Sequence, residues 1–552
     1  MRIVSPLALL IVGSAVYSQA QAQTAPDAGS LRQQIERQLP APSLPASSDP
    51  LKTPEPTPLV LPTDVRLTVK RFAITGNTLI AEDRLLPRVQ SWLGRPVGFA
   101  ELQEAMRAVA QAYREAGWIV RTLLPQQDVT EGVVTIQVIE SRFAGSRVES
   151  PQAKRVRPER LNRFIEAQQK KGEPLNARAL DRALLLADDL PGVTLTGALE
   201  PGQNHGETGL VLQAQDEPIF DAELGIDNWG SRSTGARRLF ASGTYNGIRG
   251  VGDRARIDLV DTTGSVFFRM GYTTPIGYDG WQLGVNGSWF DYKLTSGDFA
   301  GLNGMGDSGS LGVDLSYPLI RSRLHNLYFT TGLDQRRYRN DANDVRQSEY
   351  SVTAANIGLV GNLYDRWGGI NNMNVAFVGG RVRQGALQPA ENPALNGGYG
   401  KLRYALSRLQ MIDSRLSLYT AVSGQYANDR LDSSERFYLG GPTGVRAYPV
   451  NEGSGSRGVL ATVELRLRLP AGFTMAPFYD YGSVSNPDTG PNYSLKGGGL
   501  AVGWTGPYRV GLKGSVAVRH GRNPNRTANG RDQDGSYDKV RFWLQASVPV
   551  SM

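Results

Sequence analysis

The chain has 552 residues, of which 60 are Lys or Arg and 52 are Asp or Glu, and it has no cysteine. Its length exceeds one ordinary domain, so several structural units are expected. The missing cysteines exclude disulfides, thiol catalysis and cysteine metal sites. The basic residues behind the net charge of +8 alternate with apolar ones instead of clustering. This favours a cationic lumen or contact with anionic lipid over nucleic-acid binding.

The N-terminus has the pattern of a secretory signal peptide over residues 1–22. Arg2 precedes an apolar run from Leu7 to Val16, and Ala20-Gln21-Ala22 provides a small-x-small cleavage site. No later stretch approaches the ~20 continuous apolar residues of a spanning helix. We therefore predict an exported protein that is either soluble or a β-barrel.

Residues 27–39 are predicted to form a short helix. Ser30 with Gln33 fits a capping box. The helix would carry a thin apolar stripe, made of Leu31, Ile35 and Leu39. Three apolar residues cannot hold an isolated helix, so this segment must dock elsewhere, in the manner of a plug. The alternative is a disordered N-terminal tail.

Residues 40–64 are predicted to be a proline-rich linker. Eight prolines fall between positions 40 and 62. A proline-rich segment is semi-rigid and extended at ~3.1 Å per residue, so this one reaches roughly 70 Å. Such a tether would let the helix act far from the domain that follows.

Two successive segments, 65–141 and 142–216, predict the same strand-helix-helix-strand-strand order. The first copy has strands at Val69–Ile74, Trp118–Leu124 and Val133–Ile139 and helices at Glu82–Leu93 and Glu101–Ala116, the second of which stops at Gly117. The second copy has strands near 145–149, 193–199 and 209–214 and helices near 158–169 and 176–190. The repetition predicts two small α+β domains.

Residues 219–552 show the alternation of half-buried strands. Apolar positions Val459, Ala461, Val463, Leu465, Leu467 and Leu469 alternate with Thr462, Glu464, Arg466 and Arg468. The same pattern recurs at 254–259, 416–426 and 540–552. Charged residues on the polar face suit a barrel with lipid outside and water inside. A soluble β-sandwich also alternates, and the strands alone leave both architectures open.

Several motifs together carry a family resemblance. They are Phe72-Ala-Ile-Thr-Gly-Asn77, Asp189-Leu-Pro-Gly-Val193, Leu224-Gly-Ile-Asp-Asn-Trp-Gly-Ser-Arg-Ser-Thr-Gly235, Gly440-Gly-Pro-Thr-Gly-Val-Arg-Ala-Tyr-Pro449 and Phe478-Tyr-Asp-Tyr-Gly482. With the helix, linker and paired domains before them, they resemble the outer-membrane transporters of two-partner secretion, related to the barrel-assembly insertases. The resemblance implies two polypeptide-transport-associated (POTRA) domains and a 16-stranded antiparallel transmembrane β-barrel.

The resemblance also implies a functional site inside the barrel. An extracellular loop folds back into the lumen, and its tip, here Val445, Arg446, Ala447 and Tyr448, meets a wall motif of Phe478, Asp480 and Gly482. Arg and Asp in a confined lumen can form a bidentate pair, so this is the pair we expect; the alternative is two separately hydrated charges. Ala447 replaces the usual glycine, which puts the tight-turn geometry in doubt. Met552 stands where such barrels usually end in phenylalanine.

Catalytic and cofactor signals are poor, so we predict no enzyme, no metal and no cofactor. The three histidines show no metal-site spacing. Gly304–Gly309 matches G-x-G-x-x-G, but it is predicted to lie in a loop, 301–309, between strands and to open no βαβ unit.

The expected function is export of one large β-rich exoprotein, and the resemblance leaves open whether the transporter also activates it. Under the resemblance, the partner binds the periplasmic POTRA domains through its N-terminal secretion domain and threads through the barrel. It could be an adhesin, a cytolysin or a contact-dependent toxin. Outer-membrane lipids and the barrel-assembly machinery are further expected partners. The alternatives are a barrel-assembly insertase, a passive porin or uptake channel, and a barrel enzyme.

Overall fold

A computed structural model describes residues 25–39, 44–45, 51–52, 66–149, 153–296, 299–385, 397–487 and 492–552. The predicted signal peptide and most of the predicted linker lie outside these residues. Within them, no helix combines the length and apolar character needed to cross a membrane.

The N-terminal helix α1 spans Ala28–Gln38. The prediction that Ser30 and Gln33 form the cap is wrong, because Asp27 is the N-cap residue. The Asp27 carboxylate accepts from the Ser30 backbone N–H at 2.8 Å, and the Ser30 hydroxyl accepts from the Asp27 N–H at 3.2 Å. Aspartate is among the best N-caps, and serine at the third helical position completes the reciprocal pair.

The first α+β unit has a three-stranded sheet covered by two helices. Its elements are β2 Leu67–Thr68, β3 Arg71–Thr75, α2 Glu82–Val89, β4 Pro96–Val97, α3 Phe99–Ala116, β5 Val120–Leu123 and β6 Val133–Glu140. The sheet order is β3-β6-β5, and β2 pairs with β4 separately. The predicted strand Val69–Ile74 corresponds to β3, which begins two residues later, at Arg71. Lys70 and Arg71 both donate their N–H groups to the Gly132 carbonyl, just before the pairing of β3 begins.

The second unit repeats the same order. Its elements are β7 Arg142–Val148, α4 Pro158–Gln168, α5 Ala177–Asp188, β8 Val193–Pro201 and β9 Glu207–Asp216. One described piece of the linker, β1 Leu51–Lys52, pairs in parallel with Gly197 and Ala198 at the edge of β8. The sheet order is thus β1-β8-β9-β7, and β8 accepts an extended segment at its edge.

The remainder forms a closed antiparallel barrel of 16 strands, which confirms the predicted architecture and excludes the sandwich. The strands are β10 Phe220–Asp227, β11 Arg238–Asn246, β12 Arg254–Thr262, β13 Ser265–Ile276, β14 Trp281–Lys293, β15 Met305–Arg321, β16 His325–Ala342, β17 Val345–Tyr364, β18 Gly369–Gln384, β19 Gly397–Met411, β20 Leu416–Ala427, β23 Arg457–Arg468, β24 Phe473–Ser485, β25 Tyr493–Thr505, β26 Gly511–Arg519 and β27 Val540–Ser551. Strands β10 and β27 close it.

The barrel wall sorts apolar side chains outward and polar ones inward. On β12, Ile257 and Leu259 are exposed, whereas Asp258 between them is buried and binds Ser242. On β27, Phe542 and Leu544 are exposed on either side of buried Trp543. This is the arrangement of a transmembrane barrel with a polar interior. At the C-terminus, the Met552 carbonyl accepts from the N–H of Ile219 and of Phe220.

One predicted loop is largely strand. Residues 301–309 were expected to form a loop, but β15 begins at Met305 and pairs with β14 from its first residue. Glycine lowers strand propensity, yet cross-strand pairing outweighs it here. The G-x-G-x-x-G match therefore lies mostly in a barrel strand and not at the start of a helix.

The second α+β unit is attached to the barrel by two ion pairs. The Asp189 carboxylate accepts from Arg321 at 2.7 and 2.8 Å, and Asp181 accepts from Arg323 at 3.1 and 2.7 Å. Arg182 donates to the Pro318 carbonyl at 2.7 Å. These contacts hold α5 and Asp189, the residue after it, against the end of β15 and the turn that follows.

Candidate functional site

The loop between β20 and β23, residues 428–456, folds into the lumen. It contains two short paired strands, β21 Phe437–Tyr438 and β22 Ser454–Gly455. Its tip, residues 445–448, is buried, with Val445, Ala447 and Tyr448 each at most 1% exposed. Such burial in a barrel interior requires the tip's polar groups to find partners on the wall.

Arg446 at the tip meets Asp480 on β24. The guanidinium Nε donates to Asp480 Oδ2 at 2.8 Å, and NH2 donates to Oδ1 at 2.8 Å, which makes the pair bidentate. The backbone N–H of Arg446 adds a third bond to Oδ2 at 3.1 Å. Asp480 is completely buried. A charge-assisted bidentate bond of this kind fixes orientation as well as distance.

Three wall residues complete the surroundings of this pair. Glu464 on β23 accepts from Arg446 NH1 at 2.8 Å, and Thr462 on the same strand donates its hydroxyl to Asp480 at 3.0 Å. The Phe478 ring lies 3.4 Å from the guanidinium carbon, within cation–π range. Burial lowers the pKa of Arg446, but the hydrogen bond and charge of Asp480 outweigh it, so the pKa lies above its usual value.

Two glycines on the wall make room for the tip. A Cβ at Gly482 would lie 2.7 Å from a Leu439 methyl group and 3.1 Å from a Val445 methyl group. A Cβ at Gly497 on β25 would lie only 2.4 Å from that of Ala447. Ala447 is not among the residues with positive φ, so its turn does not require glycine. The extra methyl group is accommodated by Gly497 on the wall.

Helix α1 lies inside the same lumen. Leu31 and Ile35 pack in a buried cluster with aromatic wall residues that include Phe267, Phe290 and Tyr338. The Ala28 N–H donates to Asn340 on β16 at 2.7 Å.

The loop also contacts this helix. Ser433 donates its hydroxyl to Asp27 at 2.6 Å, and Asn451 donates to the Ser30 carbonyl at 3.3 Å. The helix is therefore bound to both the wall and the loop.

The structure brings all seven predicted site residues together, and it adds others that the sequence reasoning missed. Glu464 was predicted only as part of a polar strand face, and Gly497 was not singled out. The Trp543 indole N–H donates to the Arg446 carbonyl at 2.8 Å from the opposite side of the tip. The sequence could have indicated Trp543, because it lies between Phe542 and Leu544 and so belongs to the face of β27 that points into the lumen.

The lumen beside the tip contains a cavity of about 640 Å³ that apolar and polar side chains line together. Asn362, Asn372, Tyr419, Thr462 and Glu464 contribute to its lining. Among the described residues, no group of three or more His, Cys, Asp or Glu side chains could hold a metal ion. The folded loop and the helix thus narrow the passage through the barrel.

A closed barrel with an apolar outer face, a polar lumen and paired α+β units before it defines a POTRA-bearing outer-membrane translocator. Residues 67–141 match the model of the ShlB-type POTRA domain. Residues 206–506 match the model of the haemolysin secretion/activation protein family ShlB/FhaC/HecB, and the chain belongs to this family. It is an outer-membrane transporter of two-partner secretion, with its POTRA domains in the periplasm.

Individual relatives agree in extent and fold. The chain is 24% identical to the heme/hemopexin transporter protein HuxB of Haemophilus influenzae over 94% of both chains. It is 24% identical to the outer membrane transporter CdiB of Dickeya dadantii, over 79% of this chain and 80% of CdiB. The solved structure of CdiB from Escherichia coli superposes with a TM-score of 0.70 at 22% identity, covering 90% of this chain and 93% of CdiB. BamA from Haemophilus ducreyi, lacking POTRA domains 1–3, superposes with a TM-score of 0.53 at 15% identity, covering 88% and 100%.

Proposed function

We propose that this transporter exports one dedicated, large, β-rich exoprotein that enters unfolded from the periplasm and folds at the cell surface. The observation that carries this proposal is the loop tip held across the lumen by Arg446 and Asp480. A passive porin would not need the POTRA domains that precede this barrel. The names of the relatives, transporters of heme/hemopexin and of hemolysin, support a secreted protein partner. An adhesin, a cytolysin or a contact-dependent toxin would each fit.

The partner's N-terminal secretion domain would bind the POTRA domains by adding a strand to an exposed sheet edge. Edge strands present unpaired backbone groups that an extended chain can satisfy. In this chain the edge of β8 already pairs with Leu51–Lys52, which supports strand addition at that edge. The edges of the first unit are β3 and β5.

The helix over residues 27–39 would act as a removable plug, with the 40–64 segment as its tether. It fills part of the lumen and is held by several hydrogen bonds to the wall and the loops and by a small apolar stripe. A helix this short has little stability of its own, so it depends on the lumen for its structure. It must leave the lumen before a chain can pass.

The transporter would have no enzymatic activity and would use no cofactor, metal or nucleic acid. Outer-membrane lipids would surround the barrel, and the barrel-assembly machinery would insert it. Because the periplasm lacks ATP, folding of the exoprotein outside the cell would drive transport.

Binding of the partner by the POTRA pair can be tested directly. A purified 65–216 fragment should bind the partner's N-terminal secretion domain in its unfolded form and should not bind the same domain after folding. The isolated barrel, residues 219–552, is the control and should bind neither form. Binding to the barrel but not to the fragment would contradict the recognition step.

A further inference from the structure

The last extracellular loop, residues 520–539, joins β26 to β27 and lies against the loop that carries the tip. The contact between the two loops is centred on Glu452, four residues after the tip, which is completely buried. One carboxylate oxygen of Glu452 accepts from the side-chain amides of Asn523 at 2.9 Å and Asn525 at 3.1 Å. The other accepts from the Gln533 backbone N–H at 2.8 Å. All three donors belong to the last loop.

The last loop is itself tied to the barrel wall. Asp532, 1% exposed, forms an ion pair with Arg519 at the end of β26, with one bond at 3.0 Å. Asn523 also donates to Asp532 at 2.8 Å, so one amide joins both carboxylates. Arg541, at the start of β27, approaches Asp532 from the other side at 3.4 Å.

The same arginine reaches the tip. The Arg519 guanidinium carbon lies 4.5 Å from the centre of the Tyr448 ring, within the range of a cation–π contact. A continuous set of contacts thus runs from Tyr448 through Arg519, Asp532 and Asn523 to Glu452. It lies apart from Asp480 and Glu464, which bind Arg446.

We propose that the last loop is a second anchor of the tip, and that Glu452 is the positioning residue that joins the two loops. The hydrogen-bond donors to Glu452 are two side-chain amides and one backbone N–H, and none of them is charged. Because the carboxylate is cut off from water, losing these donors would be costly. The pKa of Glu452 is raised to about 7: burial is the largest cause, the nearby charge of Asp532 also raises it, and hydrogen bonds from Asn523 and Gln533 offset part of the rise.

Displacing either loop alone would leave this carboxylate buried without its donors. The two loops therefore move together, and the tip leaves its position only when both anchors have opened. This inference rests on the proposed role of the tip in export, but it can be tested without export.

The test measures how accessible the tip is from outside the cell. Because the chain has no cysteine, Ala447→Cys provides a single label site at the buried tip. A membrane-impermeant maleimide is applied to intact cells expressing the full transporter. Glu452→Gln replaces one acceptor oxygen by an NH2 group that faces donors, and Asn523→Ala removes the amide shared by Glu452 and Asp532. Each should raise the labelling rate at least tenfold.

Two further variants serve as controls. Asp538→Ala removes an exposed acid from the same loop and should leave the labelling rate unchanged. Arg446→Ala opens the first anchor and should raise the rate. Heat-modifiable migration on gels selects variants with an assembled barrel. If assembled Glu452→Gln and Asn523→Ala both label at the parent rate, the second anchor does not exist. If labelling rises while export is normal, the anchor stands and the proposed role of the tip in export is wrong.

Discussion

Replacing Arg446 with alanine should release the loop tip from the wall and stop export without preventing barrel assembly. The substitution removes both side-chain bonds to Asp480 and the bond to Glu464. Asp480 keeps only the Thr462 hydroxyl and the backbone N–H of residue 446. Because Asp480 is fully buried, it cannot replace the lost donors with bulk water while the tip stays in place.

The size of the effect follows from the burial of the pair. Breaking a buried ion pair by removing one partner costs ~3–5 kcal/mol. Each 1.4 kcal/mol is a tenfold change in an equilibrium. The balance between the bound and released tip should therefore shift by roughly two to three and a half orders of magnitude.

Export is measured as the amount of partner exoprotein in the culture medium, relative to transporter assembled in the outer membrane. Arg446→Ala and Asp480→Ala should each reduce it sharply, and the double variant should be no worse than either, because residues in direct contact are non-additive. Arg466→Ala is the matched control: Arg466 binds Glu464 at 2.7 Å, as Arg446 does, but stacks on Tyr419 and does not bind Asp480.

The result that would refute this reasoning is specific. Normal export by both single variants, or defects that simply add in the double variant, would mean that the two side chains are not coupled. A defect in Arg466→Ala as large as that in Arg446→Ala would assign the effect to Glu464 and not to the pair.

Deleting residues 27–39 should raise ion conductance in planar bilayers while export largely persists; unchanged conductance would make the segment a tail and not a plug. Gly482→Val should place a side chain against Leu439, cost about 1–3 kcal/mol through overpacking and lower the melting temperature of the detergent-solubilised barrel. Burial raises the pKa of Glu140 in β6, but hydrogen bonds from Thr78, Leu79 and Tyr113 outweigh it and hold the pKa below its usual value. The stability that Glu140 contributes is therefore present above pH ~4.5, the ordinary pKa of a glutamate, and is lost as the pH falls through the lowered pKa. Glu140→Gln should abolish this part of the pH dependence, which is measured by urea unfolding of the 65–216 fragment.

Much of the barrel could be predicted from the sequence, since alternation reports directly on the two faces of a strand. At β12 and β27 the exposed side chains include four that were predicted to face outward: Ile257, Leu259, Phe542 and Leu544. What alternation does not report is where pairing begins. Strand β15 starts inside a glycine-rich stretch that reads locally as a loop, because its pairing with β14 is decided by the neighbouring strand.

The candidate site was predictable only in part. The family motifs single out Arg446 and Asp480. Without those motifs, nothing in the sequence around either residue indicates that the two are in contact across 34 positions. Glu464 and Glu452 were missed as site residues for the same reason: each depends on a partner from a distant loop or strand. The cap at Asp27 was missed although its signal is local, because Ser30 also fits a capping pattern.

The attachment of the second POTRA domain has a consequence for which parts of the transporter can do mechanical work. Asp189 and Asp181 hold this domain to Arg321 and Arg323 at the barrel rim, and Arg321 is almost fully buried. A hinge motion at this junction would have to expose the Arg321 guanidinium to solvent, or leave it buried without its carboxylate partner, each time the domain moved. The second POTRA domain and the periplasmic end of the barrel therefore behave as one rigid unit. Opening is then left to the helix and to the two loops inside the barrel, and the two loops move together because Glu452 joins them.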